Sequence, residues 1–269
     1  MTREQERARA RRRYERQMAA AAAREAERER NKRVVVVVAL VLVLVAGFVG
    51  LTNALGKNDS TSKATGAPSS ATAPVSVAGC APPPTGIGTS AQLKLPDKKA
   101  VEGKTYTAVI TTNCGDITVE LDGSKAPQAV ASFKSLAEKQ YWLNSACHRL
   151  TTQGIFVLQC GDPTGTGSGS PGYGFAVENA PANGSYPAGA LAMARTNDPK
   201  TGNGGQFFIV YKDSSLPTDT GGYTIFGKVT GGMDIVKKIA DAGVRGGATD
   251  GAPAAPISIL RVAVTEKKA

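Results

Sequence analysis

Val34 to Leu51 is an unbroken run of eighteen uncharged residues, VVVVVALVLVLVAGFVGL, and it divides the chain into parts with different surroundings. A helix needs roughly 17–25 apolar residues to cross the hydrocarbon core of a bilayer, so the run predicts a single transmembrane anchor over 34–54. Arg28, Arg30, Lys32 and Arg33 precede it, and Lys57 is the first positive charge after it. That asymmetry predicts a single-pass protein of the cell membrane, with the N-terminus cytoplasmic and the C-terminal part exported. A cleaved signal peptide is the rival reading. The long stretch before the run and the weak small-residue pattern of LTNALGK at its exit stand against it.

Residues 1–33 carry twelve Lys/Arg and six Glu, so about +6 of the formal net charge of +10 lies there. Their Arg/Glu/Ala mix favours helix and shows no sustained apolar heptad, which predicts a basic, solvated cytoplasmic helix rather than a coiled coil. The remainder is only mildly basic, so nucleic acid is not an expected partner. Residues 55–100 are rich in Ser, Thr, Ala, Pro and Gly, with Pro82, Pro83 and Pro84 in a row, and read as a flexible tether. Cys80 lies too far past the apolar run to be the acylated cysteine of a lipoprotein.

The four cysteines, Cys80, Cys114, Cys147 and Cys160, all fall in the exported part, where an oxidising environment favours disulfides. Four cysteines allow three pairings. If 147–150 and 156–160 form a hairpin, Cys147 and Cys160 face each other across it, so the expected pairing is Cys147–Cys160 with Cys80–Cys114. The sequence has no CxxC and a single histidine, His148, so no metal site is expected.

From about Lys104 the pattern changes to short β-rich runs broken by turns. Thr105–Thr112 and Ile117–Leu121 bracket Asn113-Cys114-Gly115-Asp116, a hairpin signal. Pro127 opens a helical stretch, APQAVASFKSLAEKQY, in which Val130, Phe133 and Leu136 recur at helical spacing. Further strands are expected at 147–151, 156–160, 190–194, 206–211, 224–229 and 257–265, with a second helix over Met233–Ala242 ending at Gly243. Eight strands and two helices predict a mainly β fold, a closed antiparallel barrel with helical caps over 101–269, leaving the glycine-rich piece 161–189 as a surface excursion.

Two familiar patterns occur without their context. Gly167-Ser168-Gly169-Ser170-Pro171-Gly172 fits GxGxxG, but Pro and Gly there cannot open the helix that a dinucleotide site needs. Gly222 to Lys228 follows most of a phosphate loop, but Val229 replaces the required Ser/Thr. A serine triad would have to recruit His148, and no GxSxG is present. What remains is Arg149 beside His148, then Gln159 and Gln206, and several aromatics, with no nucleophile beside a base. Such a set suits binding and polarising a neutral, partly apolar group better than cutting a bond.

These motifs resemble those of the cyclophilins, a family of peptidyl-prolyl cis–trans isomerases. The residues that carry the resemblance are His148-Arg149, Phe156-Val157-Leu158-Gln159-Cys160-Gly161-Asp162, Gly204-Gly205-Gln206-Phe207-Phe208-Ile209 and Phe226-Gly227-Lys228-Val229, spread over about 104–265. A tethered, exported form with these cysteines is similar to the membrane-anchored cyclophilins of actinomycete-type bacteria. The resemblance implies an eight-stranded barrel with two capping helices and isomerisation of Xaa-Pro bonds in exported polypeptides. It implies no metal or cofactor, and a monomer is expected.

By the same resemblance Arg149 is the catalytic donor, and Gln159 and Gln206 bind the substrate backbone and orient Arg149. Phe156, Val157, Phe208, Leu216 and Tyr223 line the proline pocket, while the backbone of Ala194 and Arg195 grips the preceding residue. Phe207, next to Phe208 on the opposite strand face, belongs to the core, and His148 is structural. The chain departs from familiar members at several places. The loop 150–155 is longer, Val157 stands where Met is frequent, Arg195 where Asn is common and Tyr223 where His is frequent. The pocket tryptophan is missing near Leu216, which implies weak cyclosporin binding. A non-catalytic module that binds proline segments of an envelope partner is the alternative reading. A third places the biological role in residues 1–33, docking a cytoplasmic partner.

Overall fold

The computed structural model describes residues 74–86 and 88–268. The expected span 34–54 and the basic segment 1–33 lie outside the described residues, and no helix among those described is long and apolar enough to cross a membrane.

The hairpin forms as the sequence predicts: β1 (Thr105–Thr112) pairs antiparallel with β2 (Gly115–Asp122), Thr112 opposite Gly115. Burial alternates strictly along β1, as one core-facing sheet surface requires. Then come α1 (Pro127–Glu138), β3 (Ser145–Ala146), β4 (Arg149–Thr151), β5 (Val157–Cys160), β6 (Ser185–Tyr186), β7 (Ala190–Arg195), β8 (Asn203–Val210), β9 (Ser214–Ser215), β10 (Ile225–Gly231), α2 (Met233–Asp241), β11 (Asp250–Gly251) and β12 (Ser258–Glu266). All eight expected strands are present within a few residues, together with β3, β6, β9 and β11, each two residues long. The predicted first helix stops at Glu138 rather than Tyr141. Gln140 (φ 53°) and Asn144 (φ 59°) adopt left-handed backbone, which an α-helix cannot carry.

The main sheet has ten strands in the order β11-β4-β5-β8-β7-β10-β2-β1-β12-β3, rather than the expected eight-stranded closed ladder. Its two ends are nonetheless drawn from one stretch of chain. Ser145–Ala146 pair with β12 at one end, Arg149 and Leu150 pair with β5 near the other, and Cys147 N donates to Ile257 O between them (2.9 Å). The sheet therefore curls until residues 145–151 serve both edges. Inside it lies the main core, with Phe133 of α1 packed against Trp142, Phe207 and Phe226 at centroid distances of 4.7–5.5 Å.

Both expected disulfides are formed, Cys80–Cys114 and Cys147–Cys160. The folded unit also reaches back into the segment read as a tether. Val75 N donates to Ala254 O, Asn113 Nδ2 to Ala81 O, and Gln128 Nε2 to Pro96 O. Composition understates this attachment because the arm adds only a few apolar side chains, Val77, Ala91 and Leu93, to its backbone hydrogen bonds and the Cys80–Cys114 bridge.

The piece 161–189 is likewise no free excursion. Its Glu178 carboxylate accepts from the N–H groups of Gln128 and Ala129, satisfying free donors at the start of α1, where Ala126 has no side-chain cap to offer.

Candidate active site

Strand parity builds the site. Arg149 lies opposite Gln159, Gln159 opposite Phe208, and Phe208 opposite Ala192. Directly opposed residues share a face and so do residues two apart. Arg149, Val157, Gln159, Gln206, Phe208 and Ala194 therefore project from the outer face of β4-β5-β8-β7. Their neighbours Leu150, Leu158, Cys160, Phe207, Ile209 and Met193 fill the interior. A separate apolar cluster forms on the outer face of the curled sheet from Val157, Tyr186, Ala192, Phe208 and Leu216, with Ile155, Ala194 and Tyr223 at its margin.

An open groove of about 900 Å³ runs over this face. Nine of the ten residues expected to form the site line it: Arg149, Val157, Gln159, Ala194, Arg195, Gln206, Phe208, Leu216 and Tyr223. Phe156 does not. Its ring packs 6.0 Å from Tyr211 and beneath Lys212 Nζ (4.5 Å), and Ile155 faces the groove in its place. Parity explains the correction: 155, 157 and 159 point one way, and Phe156 the other. The only tryptophan, Trp142, is core, donating from Nε1 to Gly161 O (3.1 Å) and Gly205 O (3.0 Å).

The polar side of the groove is a chain of donors. Arg149 Nη1 donates to Gln159 Oε1 (3.2 Å), Gln159 Nε2 to Gln206 Oε1 (2.9 Å), and Gln206 Nε2 to Gly167 O (2.9 Å) and Gly169 O (3.2 Å). The glycine loop at its end is folded around Asp162, which is fully buried and accepts from Thr164 N (2.7 Å) and Gly167 N (2.6 Å). Burial alone would raise the Asp162 pKa. Donors from Thr164, Gly169 and Gly167 outweigh it and hold the carboxyl below its usual range. Gly161, where β5 turns into this loop, has φ 92°, and a Cβ there would lie 2.5 Å from Gly205 O, so the turn requires glycine.

Arg149 has a further partner that sequence reasoning missed. Asp250 of β11 accepts from Nε and Nη2, both at 2.7 Å. Hydrogen bonding to Asp250 raises the arginine pKa and lowers that of the aspartate. No local signal marks Asp250, which lies 101 residues downstream in a Gly/Ala turn region. Arg195 was expected to act through its backbone, yet its guanidinium also laces the opposite rim. It donates to Gly222 O (2.6 Å) and Thr220 O (2.7 Å) and sits 5.0 Å over the Tyr223 ring. His148 is not on the groove; both ring nitrogens are buried without a partner, and burial lowers its pKa, with Arg149 adding to the effect and Asp162 opposing it.

Residues 107–264 match the family described as cyclophilin type peptidyl-prolyl cis-trans isomerase. The chain belongs to the cyclophilin family. Among its relatives, the probable peptidyl-prolyl cis-trans isomerase B of Mycobacterium tuberculosis is 41% identical over 202 residues, covering 69% of this chain and 63% of the relative. That of Mycobacterium leprae is 40% identical over 195 residues, covering 67% and 64%. The chain thus spans just under two thirds of the length of these relatives. A solved cyclophilin type peptidyl-prolyl cis-trans isomerase of Cryptosporidium parvum matches with TM-score 0.51 and 32% identity, over 61% of this chain and 99% of its own. A second structure of that protein, in the presence of the dipeptide Ala-Pro, matches at 0.50 and 33%, over 60% and 99%.

Proposed function

We propose that this cyclophilin catalyses cis–trans isomerisation of Xaa-Pro bonds in exported polypeptides and that residues 34–54 tether it to the cytoplasmic membrane, with the folded unit outside. The observation that carries the catalytic reading is a single one: a charged, hydrogen-bonded arginine lining the same groove as an apolar cluster of Val157, Phe208, Leu216 and Tyr223.

Resonance opposes rotation about an amide C–N bond with a barrier of roughly 18–20 kcal/mol, and Xaa-Pro bonds interconvert over tens to hundreds of seconds unaided. In the twisted state the prolyl nitrogen regains its lone pair. A fixed cationic donor aimed at it stabilises that state more than the planar one, which is the condition for acceleration. Arg149 is assigned this role. Three of the roughly five N–H donors of a guanidinium are engaged by Asp250 and Gln159, so two remain for substrate. Val157, Phe208, Leu216, Tyr223 and Ile155 receive the prolyl ring, in keeping with the Ala-Pro dipeptide present in the Cryptosporidium structure. Gln159 and Gln206, with the backbone of Ala194 and Arg195, bind the flanking peptide. Rotation forms and breaks no bond, so the chemistry calls for no cofactor.

The test is peptide isomerisation by the full chain in detergent. Arg149→Ala is expected to lower the rate by about two or more orders of magnitude while the circular dichroism spectrum stays native. Undiminished activity in that variant would sink the assignment, and saturable peptide binding without acceleration by the wild type would favour the binding module instead. With the only indole in the core, cyclosporin is expected to bind weakly, and nanomolar affinity by calorimetry would contradict that.

A further inference from the structure

We infer that Asp250 is a positioning residue for Arg149 and that its carboxylate, rather than the arginine's own packing, fixes the plane of the catalytic guanidinium. The inference rests on the isomerase reading of Arg149.

An arginine that is 39% exposed has little steric confinement, and its single bond to Gln159, at 3.2 Å, leaves the guanidinium free to swing about that contact. The two parallel bonds to Asp250 remove that freedom, because a fork-to-fork pair defines both direction and plane. Register makes the pair possible. Asp250 lies opposite Thr151 and Gly251 opposite Leu150, so Asp250 and Arg149 share a face as diagonal neighbours on adjacent strands, within reach of long side chains.

The segment that presents Asp250 is itself held from both sides. Thr152 N donates to Thr249 O (2.9 Å), Arg245 N to Ala252 O (2.8 Å), and Val244 bridges Pro253. A two-residue strand pinned at each end is a mount for a side chain, unlike the mobile partners of most surface ion pairs.

Two physical effects oppose each other at this pair, so the sign of the experiment is informative. The aspartate's negative charge partly cancels the field that Arg149 presents to the prolyl nitrogen, which slows the reaction. Its geometry holds the remaining N–H donors in register with that nitrogen, which speeds it. A displacement on the scale of 1 Å can cost about a hundredfold in rate, whereas the charge of a half-exposed carboxylate is screened by solvent. Positioning therefore dominates.

The experiment measures kcat and KM of the full chain on a short Ala-Pro peptide for Asp250→Ala, Asp250→Asn, Arg149→Ala and the double variant Arg149→Ala/Asp250→Ala. Asp250→Ala is expected to lower kcat roughly ten- to a hundredfold with KM within about twofold of wild type. Asp250→Asn, which keeps one acceptor, should fall between. The double variant should be no slower than Arg149→Ala alone, as expected when one residue acts only through the other. An unchanged or faster Asp250→Ala would overturn the inference, as would an Asp250→Ala effect that persists undiminished without Arg149. If Asp250→Ala fails to fold, an Asp250→Asn kcat equal to wild type overturns it on its own. Should Arg149→Ala keep full activity, the assignment of Arg149 as the catalytic donor fails, whatever Asp250 does.

Discussion

The two walls of the groove are built on different physics. The apolar wall, Val157, Phe208, Leu216 and Tyr223, rests on packing: Phe208 lies 5.8 Å from Tyr223 and 6.5 Å from Tyr186, and the cluster is shielded on several sides. The polar wall rests on a directional relay from Asp250 through Arg149, Gln159 and Gln206 to the glycine loop. Packing spreads its energy over many weak contacts, so the apolar wall should tolerate change of shape and resist loss of volume. The relay depends on single donor atoms, so it should tolerate neither, yet contribute little to global stability.

Deleting volume from the apolar wall should produce the largest stability change. Phe208→Ala, at a position 4% exposed, is expected to cost about 3–5 kcal/mol and to raise KM more than it lowers kcat. A thermal melt within a few degrees of wild type would show that the cluster is ornamental. Next comes the covalent brace beneath the polar wall. The Cys147–Cys160 bridge spans 13 residues and flanks Arg149 and Gln159, and replacing both cysteines by Ala should cost about 3 kcal/mol in urea unfolding. Gln206→Ala, which interrupts the relay, should slow turnover about tenfold, or ~1.4 kcal/mol, while the melting midpoint barely moves. Equal losses of stability and rate there would erase the distinction between the walls.

The smallest effect concerns the sole histidine. Burial holds the pKa of His148 below its ordinary value, so the unfolded chain binds the proton more readily. Stability from this group is full above the unfolded pKa of about 6.5 and falls as pH drops through that value towards the folded one. His148→Leu should flatten the decline in melting temperature between about pH 7 and 5. An unchanged pH dependence would place its origin elsewhere.

Much of the fold was legible in the sequence because alternation and turn chemistry are local. Thr105–Thr112 announced β1, Asn113-Cys114-Gly115-Asp116 the reversal after it, although Gly115 and Asp116 already belong to β2, and Pro127 the start of α1. Parity put Phe207 and Phe208 on opposite faces, and the family resemblance said which of them faces the groove. Parity was also available to exclude Phe156 in favour of Ile155, but the motif places Phe156 and Val157 side by side and conceals it. Apart from the Cys80–Cys114 bridge, the attachment of the arm to the curled sheet was not legible, since backbone hydrogen bonds leave no trace in composition and the arm's packed apolar residues are few.

The sequence by itself determined the alternating faces, the helix start and the motif residues Arg149, Gln159, Gln206 and Phe208, because each depends on neighbours within a few positions. Only the tertiary structure decided that Asp250 meets Arg149 across 101 residues. That outcome depends on sheet curl and strand register, which arise when distant segments compete for the same edge, and no local pattern encodes the winner.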